Sequence, residues 1–195
     1  MIEVIAKVFG AVSMVNAIAI GKGATLGIDT FVETRLVKKE GYGIQITSEN
    51  KTISSRLINQ IIRNMIPKKI LDKNRLELDF RSNIPTGYGL KSSSAISSAV
   101  ALSCAKAFGQ EITDEQILQL GSKTSIQTKV SITGAYDDAC ACHFGGFNVT
   151  DNLKMKLIHR ELAPKDLQVI IFLPKSRKRG NLKRLKEFDK AFQKS

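Results

Sequence analysis

The pattern of apolar and polar positions predicts several β-strands in this chain. The run 2–9 is apolar enough for a short strand, and in 28–37 and 76–80 apolar or threonine residues alternate with charged ones. A period of two places alternate side chains on opposite faces, so each alternating segment predicts a half-buried strand. Glycines in 41–43 mark a turn before 44–47, so 28–37 and 44–47 are predicted to form a hairpin.

Helical spacing replaces this alternation elsewhere in the chain. Apolar residues recur every three or four positions in 57–66, and Pro67 is expected to end that helix. The segment 95–108 combines an apolar stripe with small alanines and serines, which allow close helix packing. Thr113 and Gln116 have the spacing of a capping box and predict the start of a further helix.

The order of these elements favours an α+β fold. Strands and helices mix without the regular alternation that builds a doubly wound parallel sheet. A last apolar run at 169–173 predicts a buried strand, followed by Pro174 and a basic segment.

Composition narrows the class of protein. The chain has 195 residues, of which 43% are hydrophobic and 25% charged, which excludes disordered, collagen-like and coiled-coil chains. No apolar run approaches the roughly 20 residues of a membrane-spanning helix, and the start lacks a signal-peptide pattern. Three cysteines make a poor disulfide framework. We therefore expect a cytoplasmic protein with no membrane partner.

The net charge of +12 is unevenly distributed. Residues 1–152 carry 17 basic and 14 acidic side chains, whereas 153–195 carry 13 and 4. A basic tail of this kind is compatible with polyanion binding, with a solvated helix face or with the wall of an anionic-substrate site. Only 6% of residues are aromatic and no basic–aromatic interleaving occurs, which disfavours nucleic acid as the partner.

The segment 84–99, which reads IPTGYGLKSSSAISSA, carries the strongest chemical signal. It joins a predicted strand to a predicted helix, and the free N–H groups of a helix N-terminus beside glycines form a natural phosphate site. Lys91 adds a positive charge, and the hydroxyls of 92–94 are able to bind phosphate oxygens or Mg²⁺. The alternative is a serine-capped helix after an ordinary turn.

Three ordered blocks of the chain resemble the GHMP kinases, a superfamily that includes galactokinase and the homoserine, mevalonate and phosphomevalonate kinases. The segment 85–95, PTGYGLKSSSA, resembles their nucleotide loop, although Lys91 stands where the family usually has a third glycine. This variant is similar to that of the archaeal-type shikimate kinases. Residues 10–23 and 133–141 resemble the N-terminal and central blocks of the same enzymes.

The resemblance implies a fold and an activity. The fold is a GHMP kinase N-terminal domain at 1–160, also similar to domain 2 of ribosomal protein S5, with 161–195 as the beginning of an incomplete C-terminal α+β domain. The activity is phosphorylation of the shikimate 3-hydroxyl by ATP with Mg²⁺, in aromatic amino-acid biosynthesis. The family's glycine-rich C-terminal loop is absent from this sequence. The chain is thus expected to be a fragment or shortened product, or to have lost the activity.

The resemblance also implies roles for individual residues. Asp137 takes the place of the proposed catalytic base, and Ser93 and Asp138 are the expected magnesium ligands. Where mevalonate-type enzymes carry a metal-binding glutamate, this chain has Ser125-Ile126-Gln127 and no acid. Without the resemblance, the two adjacent acids would be interpreted as a turn or a helix cap. The expected ATP-binding residues are Pro85, Thr86, Gly87, Tyr88, Gly89, Leu90, Lys91, Ser92, Ser93, Ser94 and Ala95.

The acceptor pocket needs a cation and neutral donors because shikimate is a small carboxylate with several hydroxyls. Ser13 and Asn16 are the candidate hydroxyl contacts. Arg177 or Arg179 is the candidate for the carboxylate, and the alternative for both arginines is a solvated basic turn.

Other interpretations remain open at this level. The chain could be another GHMP small-molecule kinase, of the homoserine or mevalonate type. A second alternative is a basic RNA-binding module similar to ribosomal protein S5. A third is an inactive remnant that binds nucleotide. The run Cys140-Ala141-Cys142-His143 does not have the usual ligand spacing of a zinc site. We interpret its cysteines as small buried residues.

Overall fold

A computed structural model describes residues 1–48, 54–131 and 133–174 of the chain. Within these ranges no helix is long and apolar enough to cross a membrane. The elements in chain order are β1 (Ile2–Val15), β2 (Lys22–Glu40), β3 (Gly43–Ser48), α1 (Ser55–Met65), α2 (Lys68–Leu71), β4 (Asn74–Ser82), α3 (Ser92–Ala107), α4 (Asp114–Gln127), α5 (Tyr136–Phe144), β5 (Phe147–Asp151) and β6 (Lys156–Glu161).

The six strands form one mixed sheet organised around β2. Strand β1 pairs antiparallel with β2 along most of its 19 residues. The opposite edge of β2 is shared, because β5 pairs with its first residues and β4 with its last. Strand β6 extends the sheet beyond β5, and β3 extends it beyond β4. Strand β2 therefore pairs with β1, β4 and β5 and holds the sheet together.

The predicted hairpin between 28–37 and 44–47 is wrong. Strand β3 pairs with β4, in parallel, and β4 lies between β3 and β2. The reason is that β1 and β4 already occupy both edges of this part of β2. Helices α1 and α2 then form the crossover that parallel pairing requires.

Helices cover one face of the sheet. Helices α3 and α5 contact β1 and β2, and α1 and α4 contact α3. The predicted features of these helices are confirmed: α1 ends at Met65 before Pro67, and the capping box of α4 forms with both reciprocal hydrogen bonds. The small residues of α3 are largely buried, so this helix runs close to its neighbours at the centre of the layer.

The core contains the predicted small cysteines. Cys104, Cys140 and Cys142 are all buried and free, and burial raises the pKa of the Cys104 and Cys140 thiols to about 12. They are therefore inert packing residues.

The apolar run 169–173 does not form the predicted buried strand. It has no regular secondary structure, and Ile170 and Phe172 are 94% and 86% exposed. Val169 and Ile171 instead line a small cavity against 26–30 of β2. The alternation is that of a strand, but no strand edge in the described ranges pairs with it.

Strand β2 allows a direct test of this core. Leu36 is fully buried at its centre, so L36A should lower the free energy of unfolding by about 2–5 kcal/mol through lost contacts and a cavity. The control I170A removes an exposed side chain and should change the free energy of unfolding by less than about 0.5 kcal/mol. Urea unfolding measures both variants, and equal effects would contradict the described core.

Candidate active site

The predicted phosphate loop connects β4 to α3, and its backbone turns twice through the left-handed region. Gly87 and Gly89 have φ angles of 88° and 82°, which glycine adopts at little cost. Ile84 and Leu90 are buried and anchor the two ends of the loop. The loop is thus held at the start of α3 by apolar contacts while its glycine backbone faces solvent.

Lys91 adopts a left-handed conformation immediately before α3, with φ 63° and ψ 28°. This conformation costs a residue other than glycine about 1–2 kcal/mol. A glycine at this position would avoid that cost but would provide no charge. The strained backbone therefore places the lysine ammonium group beside the first turn of α3, which suggests a functional reason for the lysine.

The N-terminus of α3 opens into a cleft of about 250 Å³. Free N–H groups, the positive end of the helix dipole and three serine hydroxyls all lie there, which makes it suited to an anion. Lys91 is the one basic side chain among its described lining residues, and Asp138 is the one acidic one. The lining residues are Gly87, Gly89, Leu90, Lys91, Ser92, Ser93, Ser94, Ser125, Val130, Ser131, Ala135 and Asp138.

Asp137 and Asp138 occupy the first turn of α5, where negative charge is favoured by the helix dipole. The interpretation of these acids as a turn or a helix cap places them near the right position, but the N-cap residue is Ala135 and both acids lie inside the helix. Their side chains nevertheless have different partners, because consecutive residues on a helix point about 100° apart.

Asp138 lies in the cleft and forms an ion pair with Lys91. Its Oδ1 is 3.0 Å from Lys91 Nζ, and both side chains are mostly buried. Burial raises the pKa of Asp138 to about 6 and the Asp137 charge adds to this, while Lys91 and a hydrogen bond with Ser13 oppose it. The pKa of this carboxyl therefore lies closer to neutral pH than that of an ordinary aspartate.

Asp137 points away into a buried hydrogen-bond network. Its Oδ1 accepts a hydrogen bond from Asn152 Nδ2 at 2.7 Å, and its Oδ2 accepts one from the Thr25 hydroxyl at 3.3 Å. Its backbone N–H donates to Asn152 Oδ1 at 3.0 Å. Only 4% of Asp137 is exposed, so solvent has little access to it.

The other predicted residues separate into three groups. Ser13 lies close enough to lower the pKa of Asp138, but it is exposed and does not line the cleft, whereas Ser125 lines it from α4. Asn16 uses its side-chain oxygen to accept the Ile18 N–H at 2.8 Å, which stabilises the turn after β1. Arg177 and Arg179 lie outside the described residues.

The cleft also contains residues that sequence reasoning missed. Val130, Ser131 and Ala135 line it because the chain after α4 returns past the N-terminus of α3. Asn152 was missed as well, since an isolated asparagine after a strand has no distinctive pattern. Its spacing of fifteen residues from Asp137 gives no indication of the contact.

Comparisons with known proteins show which proteins this chain resembles. The profile of the GHMP kinases N terminal domain matches residues 56–146. A shikimate kinase of Methanosarcina acetivorans is 41% identical over 175 residues, covering 85% of this chain and 56% of that protein. A shikimate kinase of Pyrococcus furiosus is 34% identical and covers 84% of this chain and 60% of that protein. The chain thus spans little more than half the length of these curated relatives.

Solved structures agree on the fold. The Methanococcus jannaschii mevalonate kinase superposes with a TM-score of 0.68 at 16% identity, covering 84% of this chain and 57% of that one. The Lactococcus lactis galactokinase superposes with a TM-score of 0.67 at 20% identity, covering 84% and 48%. The predicted α+β fold and the resemblance drawn from the sequence are both confirmed.

The cleft makes a prediction about anion binding. K91M should weaken the binding of inorganic tripolyphosphate roughly 10- to 100-fold, because it removes a charge-assisted contact at the N-terminus of α3. Isothermal titration calorimetry measures the affinity.

The matched control is K106M, which removes an exposed lysine at the opposite end of the same helix. Equal weakening by both variants would indicate a general charge effect and would contradict the site.

Proposed function

This chain contains the N-terminal domain of the GHMP kinases, and from that premise we propose that it is the nucleotide-binding part of a shikimate kinase. The reaction is transfer of the γ-phosphoryl group of ATP to the 3-hydroxyl of shikimate, which gives 3-phosphoshikimate and ADP. Two relatives whose alignments cover 85% of this chain, at 41% and 40% identity, are named shikimate kinase. The observation that carries the proposal is the Lys91–Asp138 ion pair at the N-terminus of α3.

The loop and α3 are proposed to hold the triphosphate. Phosphoryl transfer depends mainly on alignment and on neutralising charge, and both are available in this cleft. The α3 backbone N–H groups and the hydroxyls of 92–94 face the anion, and Lys91 is placed to balance charge that develops during transfer.

The donors of the cleft also fit a magnesium ion that arrives with the nucleotide. Magnesium in such sites is held by one or two carboxylates together with substrate phosphates, so a full set of protein ligands is not required. Among the described residues no group of three histidine, cysteine or acidic side chains is placed for a metal. Ser93 and Asp138 would hold the ion, which would neutralise phosphate charge.

Asp138 is proposed to face the acceptor hydroxyl. It shares the cleft with the phosphate loop, whereas both oxygens of Asp137 are engaged by Asn152 and Thr25. As the acceptor oxygen bonds to the γ-phosphorus and the bond to the β,γ-bridging oxygen breaks, the hydroxyl proton passes to Asp138. The sequence-based assignment of Asp137 as base stays a prediction, and paired variants separate the two.

The remaining acceptor contacts are proposed on chemistry alone. Ser13 is proposed to contact a hydroxyl of the substrate, because it lies close to Asp138. Asn16, Arg177 and Arg179 stay predicted substrate ligands, with an arginine on the shikimate carboxylate.

The proposed domain boundary lies between residues 160 and 161. Strand β6, which ends at Glu161, finishes next to this boundary.

The two aspartates should differ sharply in turnover. D138N should lower kcat at least 100-fold, because it removes the proton acceptor in the cleft. D137N should keep kcat within about fivefold of wild type, because an asparagine amide is able to satisfy both Asn152 and Thr25. ADP release in the presence of ATP and shikimate measures both.

The control D166N neutralises an exposed acid and should leave turnover unchanged. Full activity in D138N together with loss in D137N would instead establish the sequence-based assignment.

The substrate assignment has its own test. ADP release by the protein should depend on shikimate and on added Mg²⁺, with homoserine and mevalonate giving less than 1% of the rate, a margin of roughly 3 kcal/mol in transition-state binding. A higher rate with either of the other acceptors would show a GHMP kinase of different specificity. Nucleotide binding without turnover of any acceptor would show an inactive remnant.

A further inference from the structure

We propose that Asn152 is a positioning residue for the reaction, because it fixes the first turn of α5 and so directs Asp138 into the cleft. This inference rests on the proposed function only in assigning Asp138 to the transfer. Asn152 itself lies outside the cleft, just beyond β5, and is 4% exposed.

Helix α5 begins without an ordinary cap. Its N-cap residue is Ala135, in a left-handed conformation with φ 50°, and no side chain of that residue bonds the first turn. A polar N-cap side chain normally accepts the N–H of the second or third helical residue. In α5 the N–H of the second residue, Asp137, is accepted at 3.0 Å by Asn152 Oδ1 from fifteen residues away.

The other half of the Asn152 amide holds the Asp137 side chain. Its Nδ2 donates to Asp137 Oδ1 at 2.7 Å, so backbone and side chain of one residue are fixed by one amide. A carboxyl group buried to this extent needs hydrogen-bond partners, and the Thr25 hydroxyl supplies a second one. Asp138 follows directly in the same turn, so its direction is set by this pair of bonds.

Asn152 is itself rigidly placed. Its Oδ1 also accepts the Thr150 hydroxyl at 2.7 Å, and its backbone N–H donates to the Gly21 carbonyl at 2.7 Å. Space around the acid is closed as well, since a Cβ atom at Gly23 would lie 2.5 Å from Asp137 Oδ2. Through its side chain and its backbone N–H, Asn152 therefore connects the end of β5 and the turn before β2 to the start of α5.

An exchange of the two polar side chains tests the inference. N152D replaces the amide donor by a second carboxyl 2.7 Å from Asp137 Oδ1, and two such groups remain together only when they take up a shared proton. The double variant D137N/N152D restores one donor and one acceptor with their positions exchanged. It has the same net charge as wild type, and the new carboxylate is still able to accept the backbone N–H of residue 137.

The readouts are kcat and KM for ATP in the full-length protein, with thermal unfolding as a check on folding. We expect kcat per folded molecule to fall roughly 10- to 100-fold in N152D, the size of a lost charge-assisted hydrogen bond. KM for ATP should rise by a smaller factor than kcat falls, because Lys91, the serine hydroxyls of 92–94 and the α3 N–H groups still contact the triphosphate when only Asp138 is displaced. The double variant should return kcat to within about fivefold of wild type.

Three results would overturn the positioning role. They are a kcat per folded molecule within threefold of wild type in N152D, a parallel loss of kcat and of ATP affinity, and a failure of the exchange to restore kcat. The last result would also indicate that Asp137 itself is needed for the chemistry.

A structural readout separates this inference from the proposed function. If the wild-type protein turned over no acceptor, the proposed function would fail, but the positioning role would still be measurable by crystallography. N152D should then lose the Lys91 Nζ–Asp138 Oδ1 contact, which is 3.0 Å in the wild-type chain, and the double variant should restore it. An intact contact in N152D would contradict the positioning role independently of turnover.

Discussion

The described site depends on one ion pair, between Lys91 at the start of α3 and Asp138 at the start of α5. Two helix N-termini meet there, and each favours negative charge, so an anion, a carboxylate and a lysine are able to share a small cleft. The pair explains the left-handed backbone of Lys91, because a glycine would relax the turn and leave the buried carboxyl without a cation. The fold of β2, α3 and α5 serves to hold these two residues face to face.

Adjacent acids illustrate how burial assigns different tasks to identical side chains. Asp138 is left beside one lysine in a cleft, whereas Asp137 is surrounded by the amide of Asn152 and the hydroxyl of Thr25. A rotation of one residue along a helix is enough to direct one carboxyl into the cleft and the other into the buried hydrogen-bond network. The buried network fixes the turn that both acids share, and through this turn we propose that it acts on the chemistry.

The sequence predicted those parts of the fold that depend on local pattern. The period of β4, the capping box at Thr113 and the strand–loop–helix unit at 84–99 are local features, and all three are confirmed. The pairing of β3 was predicted wrongly, because neighbours in sequence suggested a hairpin while the occupied edges of β2 excluded one. Asn152 was missed for the same reason: its function depends on a contact between distant residues, and a single amide leaves no periodic signal.

The central claim is that Asp138 is the carboxyl that faces the acceptor. A crystal structure of the full-length protein with a non-hydrolysable ATP analogue and shikimate tests it most directly. The account predicts that the 3-hydroxyl oxygen lies within about 2.6–3.2 Å of an Asp138 carboxylate oxygen, with the γ-phosphate at the N-terminus of α3. An acceptor hydroxyl bonded to Asp137, or bound away from the Lys91–Asp138 pair, would contradict it.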